Sequence, residues 1–286
     1  RSIIARLNTD GTLDESFIPD DEGFEKMGQT LVVQPDGKIL VAGYFSELAG
    51  VIRNNIARLH PDGSLDETFN PGTDGWVWKM VLQEDGKILI GGVFTHVGAE
   101  ERNQIARLNP DGSLDVGFTP HSDSTIRALA TQTDGKIIMG GFFTNINAIN
   151  RNRIARLYPD GSLDADLNPG ADDLVQTIAL QPDGKVLIGG YFNMVDDQAR
   201  NQIARLYPDG RLDLSFDPNA NDRVYALAVQ QDGKILVGGA FTQIGGVSRN
   251  RIARLNANGS LDDSFNPNLD SHVNSIVVQK DGKILI

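Results

Sequence analysis

Short apolar runs alternate with polar turns along this chain. In residues 224–265, VYALAVQ leads to the turn Gln231-Asp232-Gly233, and KILVGGAFT leads to a variable stretch at 243–248. RIARLN, the turn Ala257-Asn258-Gly259 and SLDDSF complete the unit. No segment sustains the 3.6-residue spacing of an amphipathic helix. Asp-Gly and Asn-Gly between apolar runs are strong hairpin signals, because glycine takes up the positive φ that a tight turn requires. The pattern predicts four antiparallel strands per unit, at 224–230, 234–242, 251–256 and 260–265.

The same unit fills nearly all of the 286 residues. Its Asp-Gly-Lys triplet starts at Asp36, Asp85, Asp134, Asp183, Asp232 and Asp281, each 49 residues after the last. The Arg of Ile-Ala-Arg recurs as Arg6, Arg58, Arg107, Arg156, Arg205 and Arg254. A strict period of this length means one supersecondary unit repeated, so residues 1–286 read as a single domain of six 49-residue repeats. Four antiparallel strands in roughly 40–50 residues make the blade of a β-propeller. The chain opens with strands three and four of a blade (3–8 and 12–17) and finishes with strands one and two (273–279 and 283–286). The fold class expected is therefore all-β, a six-bladed β-propeller of four-stranded blades. The first and last copies share one blade, closed by strands from both termini, which removes exposed edges. An open β-solenoid or a stack of small sheets is the alternative, but terminal copies with a distinct capping face are lacking from the pattern. A piece of a longer repeat array is a further alternative, since the chain starts and stops within a repeat.

Composition narrows the chemistry. No stretch approaches the roughly eighteen consecutive apolar residues of a membrane helix, so membrane insertion is not expected. With no Cys in the chain, disulfides, thiol nucleophiles and thiolate metal sites are excluded. The net charge is −12, yet the repeated positions are nearly neutral: 17 Asp of the turns and Leu-Asp pairs face 18 recurring Lys and Arg. The acidity lies in the variable segments. Nucleic acid, which demands a basic surface, is disfavoured as a partner. A cationic or metal-bridged partner suits the charge better.

The consensus QPDGKILVGGxF followed by RIARLNPDGSLDxSF resembles the bacterial delta-60-repeat family, β-propeller units of large secreted or surface proteins. The resemblance covers all six copies and joins both Asp-Gly turns, the Gly pair and the SLDxSF tail. One departure is the period, 49 here against about sixty in the family's name, a shortening expected in the connecting loops. The resemblance implies an extracellular or cell-surface, bacterial setting and brings no established activity.

Most repeated residues read as scaffold. The Gly pair (Gly91-Gly92, Gly140-Gly141, Gly189-Gly190, Gly238-Gly239) suits close packing of blades or a bulge in strand two. A phosphate loop would need a following helix, which the pattern does not offer. The Arg of Ile-Ala-Arg and the Asp of Ser-Leu-Asp, such as Arg107 and Asp115, fall on neighbouring strands as a charge-assisted pair. The turn from Asn109 to Asp115 supplies several oxygens at short spacing, which raises calcium as a cofactor. An Asp closing its own turn explains the same residues without a metal, and no metal ligands or other cofactors are assigned.

Function is then sought among the positions that vary. If the strands alternate in direction, the two Asp-Gly turns share one face, and the variable two–three and four–one connections share the other. Variable loops near a propeller axis are where binding residues are expected. The candidate loop-face residues are Glu22, Asp74, Trp76, His121, Asp123, Asp173, Asp222 and His272. The first four–one connection is three residues longer than the rest, and its Phe24 and Met27 are placed to cover the channel mouth. The second position of strand one reads Gln29, Trp78, Arg127, Gln176, Tyr225 and Asn274. So varied a set inside a strict strand points to a candidate ring around the central channel. Aromatic faces stack on sugars or peptides, while amides and guanidinium direct hydrogen bonds.

No catalytic residues are assigned. None of the four His recurs at an equivalent position, and no Gly-x-Ser-x-Gly, paired-His or phosphate-loop motif is present. The function expected is a non-enzymatic surface or extracellular propeller. It would bind a protein or glycan partner, in adhesion or self-assembly, through its variable acidic face. The alternative is a glycan-directed hydrolase or lyase using axial carboxylates.

Overall fold

A computed structural model describes residues 4–18 and 26–286. Those residues are all-β, without a helix. The chain divides into two compact units, Arg1–Ile126 and Arg127–Ile286.

Each complete repeat folds into one antiparallel three-stranded sheet with strand two in the middle. In the first unit Lys26–Val33, Ile39–Tyr44 and Ile56–Leu59 form one sheet, and Trp76–Leu82, Ile88–Val93 and Ile105–Leu108 the next. From residue 126 onward come Ile126–Thr131 with Ile137–Gly141 and Ile154–Leu157, then Val175–Leu180 with Val186–Gly190 and Ile203–Leu206. The last complete sheet is Val224–Val229, Ile235–Gly239 and Ile252–Leu255. Strand two carries the core: Leu40, Leu89, Ile138, Leu187 and Leu236 are fully buried. Burying each such side chain stabilises the fold by about 1.5–3 kcal/mol.

The expected fourth strand is not a strand. After strand three the chain makes a single bridge, as at Leu59↔Leu65, Leu157↔Leu163 and Leu206↔Leu212, and then turns. The Asp that follows is the cause. Asp213 Oδ1 accepts the Ser215 amide at 3.0 Å and its hydroxyl at 2.6 Å, and Asp66 does the same for Thr68 at 3.1 and 2.5 Å. An Asp that bonds its own backbone two residues on offers the chain a turn in place of a ladder. The blades are therefore three-stranded, which corrects the four strands expected from the alternation alone.

The variable two–three connection, read from sequence as irregular, is a small hairpin: Asn145–Ile146 with Ile149–Asn150, and likewise Met194–Val195 with Gln198–Ala199. Its two-residue turns take positive φ at both positions, 51° and 62° at Asn147-Ala148, and 52° and 56° at Asp196-Asp197. That double left-handed geometry matches the right-handed twist of the flanking strands. Three of the hairpins are tied to the four–one connection of their own sheet by a bridge, Thr73↔Val97, Ala171↔Val195 and Ala220↔Ile244. The two variable connections thus lie together on one side of the sheet.

The terminal half-repeats each pair with themselves. Leu7 bridges Leu13, and Val277–Val278 pairs with Ile284–Leu285. Among the described residues no strand pairing joins one terminal segment to the other. Leu7 and Leu285 stay 57% and 47% exposed, while their counterparts Leu59 and Leu236 are 1% and 0% exposed. Each terminal segment carries only part of a three-stranded sheet, so these side chains lack the neighbouring strands that cover their counterparts.

The expected Arg–Asp pair recurs in every copy, and a Lys often joins it. Arg58 Nε and Lys38 Nζ meet Asp66 Oδ2 at 2.8 and 3.0 Å; Arg156 and Lys136 meet Asp164 at 2.8 and 3.2 Å. Arg205 meets Asp213 at 2.9 Å, but Lys185 turns to Asp183 instead. Burial would push the Asp164 carboxyl up, but the Asp166 amide, Arg156 and Lys136 outweigh it and hold the carboxyl below the usual range. The same guanidinium reaches the next repeat: Arg58 Nη1 donates to Pro110 O at 2.6 Å, Arg156 to Pro208 O and Arg205 to Ala257 O at 2.5 Å. It also covers the ring of the SLDxSF Phe, at 4.5 Å for Arg58 over Phe69 and 4.3 Å for Arg205 over Phe216.

Candidate functional site

The position that varies in strand one is a β-bulge. Val77 pairs with Gly92 and Lys79 with Gly91, so Trp78 is the extra residue. Gln29, Gln176 and Tyr225 are extra in the same way, opposite Gly43-Ala42, Gly190-Gly189 and Gly239-Gly238. Glycine is required there by contact. A Cβ on Gly190 would stand 2.0 Å from the carbonyl oxygen of Leu174, and one on Gly239 2.1 Å from that of Arg223. The first glycine of the pair serves the other expected purpose: a Cβ on Gly189 would meet Val224 of the following sheet at 2.6 Å. The expected close packing holds, while the expected bulge in strand two is corrected: the extra residue lies in strand one, opposite the pair. A bulged residue has no cross-strand partner to match and its side chain is re-aimed, which leaves this position free to vary.

In the first unit the bulge builds an aromatic ladder. Tyr44 and Trp76 lie 4.8 Å apart between ring centroids, and Trp76 and Trp78 5.1 Å apart. Trp76 is exposed and Trp78 half-buried. Burial lowers the Lys79 ammonium pKa below its usual value in the adjoining position. Gln29 is half-buried in its own sheet.

In the second unit Tyr191 and Tyr225 stand 6.0 Å apart, and Tyr225 meets His272 edge-on at 6.0 Å. The Arg223 guanidinium lies 4.6 Å over the Tyr191 ring. Arg127 and Gln176 are half-buried, and Asn274 is exposed. Burial lowers the Arg127 pKa, partly offset by Tyr191. Tyr44 and Tyr191 were not singled out from sequence. Their signal is the residue after the Gly pair, which reads Tyr44, Val93, Phe142, Tyr191 and Ala240 and varies as the bulge does.

The loop acids are mostly turn caps. Asp74 Oδ1 accepts the amides of Thr95 and His96 at 2.8 and 2.9 Å, its Oδ2 takes the Thr95 hydroxyl at 2.6 Å, and His96 Nδ1 lies 3.2 Å away. Burial would raise this carboxyl, but those hydrogen bonds hold its pKa at about 2. Asp172 and Asn221 cap their hairpins in the same manner. Asp173 and Asp222 each accept the amide of the next residue, at 2.6 and 2.7 Å. His121 and Asp123 are exposed, and His121 lines a shallow cavity of about 230 Å³ with Glu101, Arg102, Asn103, Thr119 and Pro120. That cavity contains none of the bulge residues. Glu22 and Phe24 lie outside the described residues.

The turn weighed for calcium is closed by its own side chains. Asp111 Oδ1 accepts the Ser113 amide at 2.9 Å and hydroxyl at 2.7 Å, and Asp115 is held by Arg107 and Lys87. Among the described residues no group of three or more His, Asp or Glu is arranged to hold a metal ion.

Residues 1–17, 34–69, 83–118, 132–166, 181–216 and 230–265 match the family described as domain of unknown function (DUF5122) beta-propeller, and the chain belongs to that family. Among solved structures it is similar to virginiamycin B lyase from Staphylococcus aureus, at 16% identity and a TM-score of 0.59, covering 92% of this chain and 85% of that one. It is also similar to the computationally designed Ika8 protein, at 14% identity and 0.58, covering 96% and 74%. A third likeness is the gluconolactonase XC5397 from Xanthomonas campestris, at 14% and 0.51, covering 92% and 82%. These likenesses establish the fold. No curated protein sequence matches the chain.

Proposed function

We propose that this protein is a non-enzymatic binding module of the bacterial cell surface or exterior, a delta-60-type propeller that engages a glycan or protein through its bulge residues and the loops beside them. One observation carries the reading. Within the sheets the repeat varies most at a bulge opposite the Gly pair and at the residue after that pair, and around them the chain places aromatic clusters, Tyr44–Trp76–Trp78 and Tyr191–Tyr225–His272. Exposed or half-exposed aromatic faces are what sugar and peptide recognition uses. A hydrolase is less well supported, because Asp74, with its pKa held at about 2, is committed to amides and is a poor general acid at neutral pH. The surface setting rests on the family resemblance. The test is a glycan array together with sedimentation for self-association. Trp78→Ala and Tyr225→Ala should each weaken any ligand found by about tenfold or more, equivalent to about 1.4 kcal/mol. Unchanged affinity in both would refute the reading.

The fold proposed for that module is a ring of six blades, the sixth formed by both terminal half-repeats. The register within complete repeats, Leu236↔Arg254 and Val237↔Ala253, translates to Leu285↔Arg6 and Ile286↔Ala5. Because the chain has no Cys, a double variant Ala5→Cys, Ile286→Cys carries the only thiols. Oxidation should give a cross-linked monomer. A cross-linked dimer, or no cross-link, counts against closure.

A further inference from the structure

The cluster in the second unit has a charge opposite to that of the protein around it. Arg223 is exposed, its guanidinium carbon lies 4.6 Å over the Tyr191 ring, and a hydrogen bond with the Tyr225 side chain is the largest influence raising its pKa. Asp222 acts on it through space but has its Oδ1 on the Arg223 amide. Arg223 takes part in none of the ion pairs among the described residues, unlike the buried Arg58, Arg156 and Arg205. Arg127 adds a second cation whose field reaches Tyr191. This arrangement lies within a chain of net charge −12.

We infer that this cluster binds an acidic sugar, with a uronate carboxylate on Arg223 and the sugar ring against Tyr191 and Tyr225. The inference rests on the binding-module reading above and gives its ligand class. The chemistry selects the ligand by two features together. A guanidinium that is stacked on an aromatic ring loses little freedom when a carboxylate arrives, and its planar fork matches the two oxygens. Tyrosine rings offer apolar faces to sugar C–H groups while their hydroxyls donate or accept at the rim. A neutral sugar would use the rings and leave the guanidinium without a carboxylate. A simple anion would use the guanidinium and leave the rings bare.

The test is calorimetric titration of the full chain with an oligogalacturonate, and with the same oligosaccharide after its carboxyls are reduced to neutral alcohols. The acidic form should bind about tenfold more tightly or better, and its affinity should fall as salt is raised, since exposed charges are screened. Arg223→Ala should remove about tenfold of the acidic sugar's affinity and leave the neutral form unaffected. Arg223→Lys should recover only part. Arg223 is exposed and outside the core, so the melting temperature of Arg223→Ala should match the parent's. Equal binding of the two oligosaccharides, no binding of the acidic one, or an unaffected Arg223→Ala would overturn the inference. If the neutral form binds as tightly as the acidic one and Tyr225→Ala abolishes that binding, the acidic-sugar inference fails while the binding module stands.

Discussion

Arg205 and Arg156 occupy the same position in successive repeats, yet their loss should cost different amounts. Arg156→Met leaves Asp164 with Lys136 at 3.2 Å. Arg205→Met leaves Asp213, whose side chain is 2% exposed, without a second cation, because Lys185 is paired with Asp183 at 2.8 Å. Removing one partner of a buried ion pair costs about 3–5 kcal/mol, most of it the uncompensated charge. A retained Lys should reduce that by about 1–2 kcal/mol. Arg205 also covers Phe216 at 4.3 Å, whereas the equivalent of that ring beside Arg156 is Leu167, which adds about 0.5–1 kcal/mol to the difference. The loss of the carbonyl contact, to Ala257 or Pro208, is common to both. Urea unfolding should therefore show Arg205→Met less stable than Arg156→Met by about 2 kcal/mol at pH 7.

Acid separates the charge contribution from the packing. In the parent, burial would raise the Asp213 carboxyl, but Ser215 and Arg205 outweigh it and lower its pKa. The stabilisation from that lowering is present above the unfolded pKa of about 3.9 and is lost as pH falls through the folded value. In Arg205→Met the buried carboxyl is raised instead, so its penalty is present above the unfolded value and disappears on acidification. Both effects narrow the gap between parent and variant from pH 7 towards pH 3. Equal losses for the two variants at pH 7, or a gap to the parent that does not narrow in acid, would refute the account.

Other expectations follow from single contacts. Gly239→Ala should destabilise by about 3 kcal/mol or prevent folding, since its Cβ would sit 2.1 Å from a backbone oxygen that cannot move aside. Gly246→Ala has open space and only a positive φ of 78° against it, so a loss of about 1–2 kcal/mol is expected in thermal or urea melts. Asp111→Asn should be nearly neutral, as the Asn258 of the last copy keeps the same acceptor for Ser260. Asp111→Ala should lose about 1 kcal/mol. Chelator should leave the melting temperature unchanged, because the oxygens of this turn are already bonded to Ser113 and Lys87; a drop on chelation would restore the calcium reading.

The alternation of apolar runs and Asp-Gly turns made the first three strands of each blade legible to within about three residues, because their register is set by one buried face. It misplaced the fourth. SLDDSF has strand-like alternation, but the turn is decided by an Asp side chain that pattern reading treats as merely polar. The two–three hairpin was hidden because each of its strands is only two residues long, too short to show alternation. Gly marks the turn at Ala49-Gly50, Gly98-Ala99 and Gly245-Gly246, whereas Asn147-Ala148 and Asp196-Asp197 take left-handed φ without it. At the site, variation at Trp78 and Tyr225 was visible in the repeat, whereas its cause, a bulge facing glycine, appears only once both strands are paired. The loop acids looked like free carboxylates because a cap and a ligand use the same residue type. Tyr191 and Arg223 belong to different copies, and no spacing rule within one repeat brings them together.

The guanidinium contacts between repeats all point the same way. Arg6 reaches Pro61 and Arg58 reaches Pro110, while Arg156 reaches Pro208 and Arg205 reaches Ala257, always from one copy to the turn of the copy that follows. Such a joint is head-to-tail: it has a donor end and an acceptor end, and like joints add without ever pairing symmetrically. Copies joined this way keep one direction within each unit, so a repeat inserted, removed or exchanged there brings its own matching couplings at both sides. Growth or loss by whole units then leaves every internal joint unchanged, which gives a lineage a simple route to vary its bulge residues one blade at a time.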